Sequence, residues 1–248
     1  MTDMEPPSSG RFTTPWRHYD ALAPVYDAER FSCRCGRTLN ELELAIAGNL
    51  LLDCGRVLDV GTGTGRFAIA ASRRSPLVVG LDASSRMIAE ARIRQHDSAS
   101  ASRIALVVGD GASLPFPTKT FDAVISVKLL SHHRQIDPFV GEMARILKEN
   151  GRLILDAPNS LAPIYRKIVV RRSIQSHQDY FHPVSEIVES MQSHSVDFVR
   201  RVRYSLVPAS LAHLVLCPHP RLASTGVLRQ LFGARAGLLS FVEGIRRE

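Results

Sequence analysis

A chain of 248 residues is long enough for one α/β domain with a full core and short for two. Hydrophobic residues make up 45% of it, as in ordinary globular proteins, and no apolar stretch is long enough to span a bilayer. The first ten residues are acidic, rich in Pro and Ser, and lack the apolar region of a secretory signal. We therefore expect a cytoplasmic protein.

The net charge of +7 bears on the kind of partner. A basic balance is typical of proteins that bind nucleic acids or anionic membranes. However, 27 of the 31 basic residues are Arg and they are spread along the chain, which the codon bias of a GC-rich genome also produces. The spacing of the four cysteines does not match a zinc site, so we predict no metal and expect reduced, structural thiols.

In chain order, residues 1–15 are predicted to be a disordered tail, followed by helices at 19–31 and 39–52. From residue 56 onward, short apolar runs alternate with amphipathic stretches. Fully apolar strands separated by helices indicate a parallel sheet that is covered on both faces, and right-handed crossovers make it doubly wound. The predicted strands are 57–60, 77–81, 104–108, 121–127 and 153–155, and the predicted helices between them are 66–73, 85–95 and 138–148.

The pattern is less regular after Asp156. An antiparallel pair of strands is predicted to close a seven-stranded, mostly parallel sheet. This gives one domain over residues 16–248, with a core at 53–157 and a lid and substrate region at 158–248. The predicted elements of that region are a lid with a short helix at 159–182, a helix at 183–192, the strand pair 198–207 and 211–217, and one or two amphipathic helices at 225–247. Residues 211–216 could equally be helical.

The segment from Asp59 to Gly65 follows a strand and opens a helix. Its glycines, Gly61, Gly63 and Gly65, allow a tight turn with positive φ angles and a close approach of the backbone to a ligand. The helix that begins near Arg66 directs its amide groups toward that ligand. The dinucleotide fingerprint G-x-G-x-x-G would need glycine at position 66, so a Rossmann dehydrogenase is excluded.

Two further acids end the next strands. Asp82 closes the second strand, where a carboxylate can accept hydrogen bonds from both hydroxyls of a ribose. An aspartate at a strand end is often a helix cap instead, although Ser84 or Ser85 can fill that role. Asp110 closes the third strand in the same way.

These segments resemble class I S-adenosylmethionine (SAM)-dependent methyltransferases. Residues 59–65 match the pattern D-x-G-x-G-x-G, residues 109–116 are similar to G-D-A-x-x-L-P-F, and residues 121–126 resemble the fourth-strand motif. The run Y-D-x-L-A-x-x-Y-D at residues 19–27 resembles the opening helix of the ubiquinone/menaquinone methyltransferase-like branch, methyltransferase type 11. The resemblance extends from Tyr19 to Asn159 and implies a Rossmann-like fold and SAM as cofactor.

The resemblance also implies roles for single residues. Asp59 would hold the amino group of SAM directly or through water, and Asp110 would accept from the adenine amino group, with the backbone of Gly111 replacing that of the usual Ala. Met87 would flank the adenine or simply pack in the core. The predicted cofactor-binding residues are Tyr19, Tyr26, Asp59, Gly61, Thr62, Gly63, Gly65, Asp82, Ala83, Met87, Asp110, Gly111, Ser126 and Val127.

The loop after the fourth strand would face the methyl group. An alcohol or phenol acceptor would benefit from a general base, and His132 or His133 could supply it, although both could equally be structural. The motif N/D-P-P-Y/F is missing there, which argues against a DNA substrate. We expect O- or C-methylation of a small natural-product or quinone-type acceptor. The alternatives are an RNA-modifying methyltransferase and a non-enzymatic SAM-binding protein, and a basic helix within residues 161–180 could make peripheral contact with a membrane.

Overall fold

The computed structural model describes residues 16–32, 34–158, 180, 182–205 and 239–247. The strands are β1 (Arg56–Val60), β2 (Leu77–Asp82), β3 (Ile104–Val108), β4 (Phe121–Ser126), β5 (Leu147–Pro158), β6 (Val196–Ser205) and β7 (Leu239–Arg246). They form one sheet in the order β3-β2-β1-β4-β5-β7-β6. β1 to β5 are parallel, and β7 is antiparallel to both of its neighbours. The predicted Rossmann-like sheet with an antiparallel last pair is confirmed.

Helices cover both faces of this sheet. They are α1 (Trp16–Leu22), α2 (Tyr26–Phe31), α3 (Arg34–Leu50), α4 (Arg66–Ser72), α5 (Ser85–His96), α6 (Asp137–Ile146) and α7 (Val184–Ser193). The helix predicted at 19–31 is broken in two, because Pro24 lacks an N–H group and disfavours a helical residue before it. Within the described ranges, no helix has both the length and the apolar composition needed to cross a membrane.

The core has two layers, one on each side of the sheet. Leu58 packs in a cluster with residues of α6 and α7, whereas its neighbour Val57 packs in a second cluster with residues of α3 and α4. Both side chains are completely buried. Successive residues of a strand point to opposite faces, so a strand with helices on both sides has to be apolar throughout.

The last strand corrects the sequence prediction. Residues 239–246 were expected to be helical, but they form β7 between β5 and β6. Their apolar residues also match a helical spacing, but in the strand Phe241 and Val242 are buried on opposite faces of the sheet. The predicted partner of β6, residues 211–217, lies outside the described residues, as do the predicted tail at 1–15 and most of the lid.

The region around α6 differs in two details. The helix ends at Ile146 and not at Lys148, and β5 already begins at Leu147. Ile136, and not Asp137, is the N-cap residue of α6. The Asp137 carboxylate instead accepts a hydrogen bond from Ser190 Oγ in α7, at 2.9 Å. A tertiary partner has replaced the local cap.

Gly244 of β7 provides a test of this packing. A Cβ atom there would collide with Met191 Cε, and it would lie 2.7 Å from Val196 Cγ1 and 2.9 Å from the backbone oxygen of Asp197. We expect Gly244→Ala to lower the free energy of unfolding by about 1–3 kcal/mol. The control is Gly48→Ala in α3, where the added Cβ meets nothing within 4 Å and a gain of about 0.5–1 kcal/mol is expected. Urea denaturation measures both, and equal stabilities would contradict the packing.

Candidate functional site

The glycine loop between β1 and α4 lies at the carboxyl ends of the parallel strands. Gly61, Gly63 and Gly65 have φ angles of 74°, 54° and 80°, as the sequence predicted. Such angles are in the left-handed region, where a side chain is strained. Gly65 also packs closely, since a Cβ there would lie 3.2 Å from Ala91 Cβ.

Three successive amides of this loop are bound to the end of β2. The N–H groups of Gly61 and Thr62 donate to the carbonyl oxygen of Leu81 at 2.8 and 2.9 Å. The N–H of Gly63 donates to Asp82 Oδ2 at 2.8 Å. Because the protein itself uses these amides, they are not available to cradle a pyrophosphate. The loop therefore favours a ligand that is held by carboxylates.

Asp82 is held rigidly but keeps accepting capacity. Its Oδ1 accepts from the N–H of Ser84 at 2.9 Å, while Ser84 Oγ caps α5 by accepting from the N–H of Met87. Ser84 is thus the helix cap, and Asp82 is not. A carboxylate has about four lone-pair sites, so two remain for a ligand. Next to it, a Cβ on Gly63 would meet nothing within 4 Å, which leaves room for that ligand.

Asp59 lies beneath the loop. It is 1% exposed, and its Oδ2 accepts from Thr62 Oγ1 at 2.7 Å and from the N–H of Ala68 at 3.1 Å. Burial raises the pKa of Asp59 to about 6. This geometry supports a role in shaping the loop and the start of α4 more than direct contact with an amino group.

Asp110 and Gly111 follow β3. Asp110 is exposed, and its Oδ1 accepts from the N–H of Ala112 at 2.9 Å. Gly111 is buried, and a Cβ there would lie 3.1 Å from Val60 Cγ1 and 3.2 Å from Phe139 Cδ1. This close packing explains a glycine where the family has alanine.

The remaining strand-end residues mostly form the frame of the site. Ser126 Oγ donates to the carbonyl oxygen of Val60 at 2.9 Å, which ties the end of β4 to that of β1. Val127 and Met87 are 7% and 1% exposed, so both pack in the core, whereas Ala83 is exposed. The core alternative for Met87 is the one that its burial supports.

Tyr19 and His132, predicted for different roles, are hydrogen-bonded to each other. The Tyr19 Oη to His132 Nε2 distance is 2.7 Å, and the two rings lie 5.1 Å apart. The ring of Tyr26 lies 6.1 Å from that of Tyr19, and its hydroxyl accepts from Arg30 Nη1 at 2.8 Å. The opening helices therefore bring Tyr19 to the loop that carries the histidines, with Tyr26 next to Tyr19.

The two adjacent histidines have different surroundings. The ring of His133 packs on Phe139 with centroids 4.0 Å apart. Burial, assisted by His132, lowers the pKa of His133 to about 4, so at neutral pH it is uncharged and a weak base. Burial raises the pKa of both Asp82 and Asp156, and the nearby His132 partly offsets that effect in each. His132 thus lies close to the strand-end acids and is the better candidate for a base.

The helices α1 and α2 dock onto the carboxyl ends of β1 and β2 through two acids that the sequence analysis missed. Asp20 accepts from Ser84 Oγ and from the N–H of Arg86. Asp27 accepts from Thr64 Oγ1 at 3.1 Å and is paired with Arg94. Each acid connects an opening helix to a residue next to the glycine loop or the end of β2.

A buried cluster of charges adjoins the loop. Glu43 is 1% exposed and lies 3.3 Å from Arg66 Nη2 and 3.7 Å from Lys128 Nζ. Burial opposes ionisation of Glu43, but Lys128, Arg66 and Arg30 together outweigh it and lower its pKa. The guanidinium of Arg66 also stacks 4.9 Å from the ring of Phe31. These contacts explain an arginine where a dinucleotide site would have glycine.

Asp156, two residues before the end of β5, belongs to the same cluster. Its Oδ1 accepts from the N–H of Lys128 at 2.8 Å, and Lys128 has a positive φ of 66°. Burial raises the pKa of Asp156, and Lys128 partly offsets this. Its position near a strand end is the signal that identified Asp82 and Asp110, so the sequence could have indicated it.

Known proteins match this domain. A family model described as a methyltransferase domain matches residues 58–155. The chain is 35% identical over 118 residues to the ubiquinone/menaquinone biosynthesis C-methyltransferase of Geobacter sulfurreducens, covering 46% of each protein. It therefore spans about half the length of that relative.

Solved structures agree on the fold. A SAM-dependent methyltransferase of Thermotoga maritima has a TM-score of 0.71 at 20% identity, covering 94% of this chain and 100% of that one. Magnesium protoporphyrin IX methyltransferase of Synechocystis PCC 6803, solved with bound S-adenosylhomocysteine (SAH), has a TM-score of 0.59 at 20% identity, covering 86% of this chain and 84% of that one. Together, the comparisons show a match to a methyltransferase domain over residues 58–155 and a fold that these two solved methyltransferases share.

The raised pKa of Asp59 gives a prediction about stability. Asp59 loses its proton at about pH 3.9 in the unfolded chain and at about pH 6 in the folded chain. Ionising Asp59 therefore costs stability as the pH rises through that window. Between about pH 4 and 7, we expect the wild type to lose about 2–3 kcal/mol of unfolding free energy relative to Asp59→Asn, which can still accept from Thr62. Urea unfolding across that range checks this, and parallel pH profiles would disprove it.

Proposed function

We propose that this chain is a class I SAM-dependent methyltransferase and transfers a methyl group to an O or C atom of a small aromatic acceptor of the quinol type. The observation that carries the proposal is the hydrogen bond from Gly63 N–H to Asp82, which fixes an open carboxylate beside the Tyr19–His132 pair. We call Asp82, together with Gly63 and Asp110, the carboxylate cradle. The cradle would hold the cofactor, and the pair would serve the acceptor.

The residues of the cradle suit the chemical groups of SAM. Asp82 has lone pairs left for the ribose hydroxyls, and the exposed carboxylate of Asp110 can accept from the adenine amino group. Arg30 and Lys128 lie in the buried charge cluster, where they can attract the carboxylate of the methionine part. When bound, SAM supplies an electrophilic methyl group on a sulfonium, and the protein mainly aligns the reactants and excludes water.

The Tyr19–His132 pair can accept the proton of an acceptor hydroxyl. When His132 Nε2 carries no proton, the Tyr19 hydroxyl can donate to it, and a hydroxyl that donates can also accept a hydrogen bond at its oxygen. As the acceptor proton passes to Tyr19 Oη, the tyrosine proton passes to His132 Nε2. A phenolate formed in this way is a stronger nucleophile at its oxygen and at the neighbouring ring carbons.

The quinol class is supported by the relative from Geobacter sulfurreducens, whose name refers to ubiquinone and menaquinone biosynthesis. A hydroquinone carries the phenolic proton that the pair is placed to accept. We also propose that residues 158–248, which follow the matched domain, select the acceptor. Two alternatives are methyl transfer to RNA and a protein that binds SAM without transferring a methyl group. The experiments below distinguish both from this proposal.

The cofactor role of Asp82 can be tested by calorimetry with SAH. Asp82→Asn retains the size of the side chain but leaves one oxygen to serve the loop, Ser84 and the ribose, so we expect affinity to fall about 10- to 100-fold. The matched control is Asp122→Asn. Asp122 lies at the amino-terminal end of β4, away from the cradle, and its carboxylate accepts from Arg56 N–H and Lys148 Nζ, each at 2.7 Å. Equal affinities of Asp82→Asn and the control would contradict the cradle.

The transfer role can be tested with methyl-labelled SAM and three acceptors: a short-chain demethylmenaquinol, a phenolic polyketide and bulk tRNA. We expect label in the quinol, and about 100-fold slower transfer by His132→Gln because general base catalysis is lost. Tyr19→Phe should slow transfer to a similar extent, because the acceptor proton reaches His132 through the Tyr19 hydroxyl. The control is His96→Gln, a change at a ring that is 91% exposed at the end of α5. Label in tRNA alone would replace the quinol proposal, and SAH binding without transfer to any acceptor would favour the non-enzymatic alternative.

A further inference from the structure

The chain returns to the site at residues 180 and 182, directly beside the loop that carries the histidines. The N–H of Tyr180 donates to the carbonyl oxygen of Ser131 at 2.7 Å. His182 Nε2 lies 2.8 Å from the carbonyl oxygen of His133. His132, between these two attached residues, is the one whose side chain bonds to Tyr19. The loop is therefore held on both sides of its candidate base.

His182 is a buried, fully engaged imidazole. It is 5% exposed, and its second nitrogen, Nδ1, lies 2.9 Å from Glu186 Oε1, one helical turn further along. Which of the two ring nitrogens donates depends on the tautomer, and the ring lies within hydrogen-bond distance of both oxygens. His182 thus connects α7 firmly to the backbone of the histidine loop.

The backbone hydrogen bonds within the loop at this point lie in one short turn. Its short 3-10 turn uses the carbonyl oxygens of Leu129 and Leu130, which accept from the N–H groups of His132 and His133 at 3.0 and 3.1 Å. Tyr180 and His182 contact the carbonyl oxygens of Ser131 and His133. A shift of about 1 Å would break a hydrogen bond as short as that between Tyr19 and His132.

We propose that His182, held by Glu186, is a positioning residue for methyl transfer. It fixes the backbone of His133 and thereby keeps the His132 imidazole against the Tyr19 hydroxyl. This inference rests on the proposed function, because it assigns His182 a task only if His132 serves the acceptor. Among the residues that the structure describes, His182 bonds to Glu186 and His133 and to none of the cradle residues, so we expect its contribution to concern the base and to leave cofactor binding unchanged.

Four variants test the two bonds separately. His182→Leu removes both bonds, whereas His182→Gln keeps an N–H donor for the carbonyl oxygen of His133. Glu186→Leu releases the imidazole by changing a side chain that is 44% exposed, so it tests the clamp without emptying a buried position. Glu189→Gln is the matched control, an exposed acid on the same helix.

The first measurement needs no acceptor. In long-range ¹H–¹⁵N spectra of the SAH complex, the His132 Nε2 signal reports the bond to Tyr19, and Tyr19→Phe provides its position when that bond is lost. We expect His182→Leu and Glu186→Leu to move the signal toward that position, and His182→Gln and Glu189→Gln to leave it near the wild-type value. An unchanged signal in both leucine variants would overturn the proposal, whether or not the enzyme methylates a quinol.

The second measurement uses the demethylmenaquinol assay. We expect His182→Leu to reduce kcat about tenfold, with KM and SAH affinity within about twofold of wild type, and His182→Gln to restore most of the loss. In the His132→Gln background, His182→Leu should have no further effect. A multiplicative loss there, or a loss of SAH affinity equal to the loss of rate, would show that His182 acts independently of His132. If the wild type transfers no methyl group, the proposed function fails while the spectra still decide the positioning of His132.

Discussion

The site depends on the attachment of the glycine loop to the end of β2. Three consecutive amides, from Gly61 to Gly63, donate to Leu81 and Asp82, and this is sterically possible because the glycines accept positive φ angles. A loop whose amides are used in this way cannot wrap a pyrophosphate, although it occupies the same place in the fold as a dinucleotide loop. It presents a fixed carboxylate instead.

Three acids near this loop have a common electrostatic property. Burial raises the pKa of Asp59, Asp82 and Asp156, which lie within the last three residues of the strands β1, β2 and β5. Their ionisation is therefore less favourable in the folded protein than in water, and a cationic ligand would relieve that cost. A sulfonium and an ammonium group, both present in SAM, provide such charge. The cost of ionising these buried carboxylates lowers the stability of the folded protein, and it also favours the binding of a cationic ligand.

The acceptor side depends on connections between distant segments. Tyr19 of α1 and His182 before α7 both contact the same short loop after β4, and they approach residues that are adjacent in sequence. His132 is directed to a hydroxyl near the strand-end acids, while His133 packs on Phe139 and becomes a weak base. A proposed proton path and a structural contact are thus separated by one peptide bond.

The sequence by itself determined the doubly wound core, the glycine turn with its positive φ angles, and the acids Asp82 and Asp110 after their strands. These features depend on local spacing and on strands that must be apolar on both faces. The tertiary structure decided the rest. It assigned residues 239–246 to a strand between β5 and β6, although their apolar spacing is also helical. It also gave the adjacent His132 and His133 different surroundings and brought His182 to their loop. Burial and long-range hydrogen bonds select among such alternatives, and neither can be deduced from a short window of sequence.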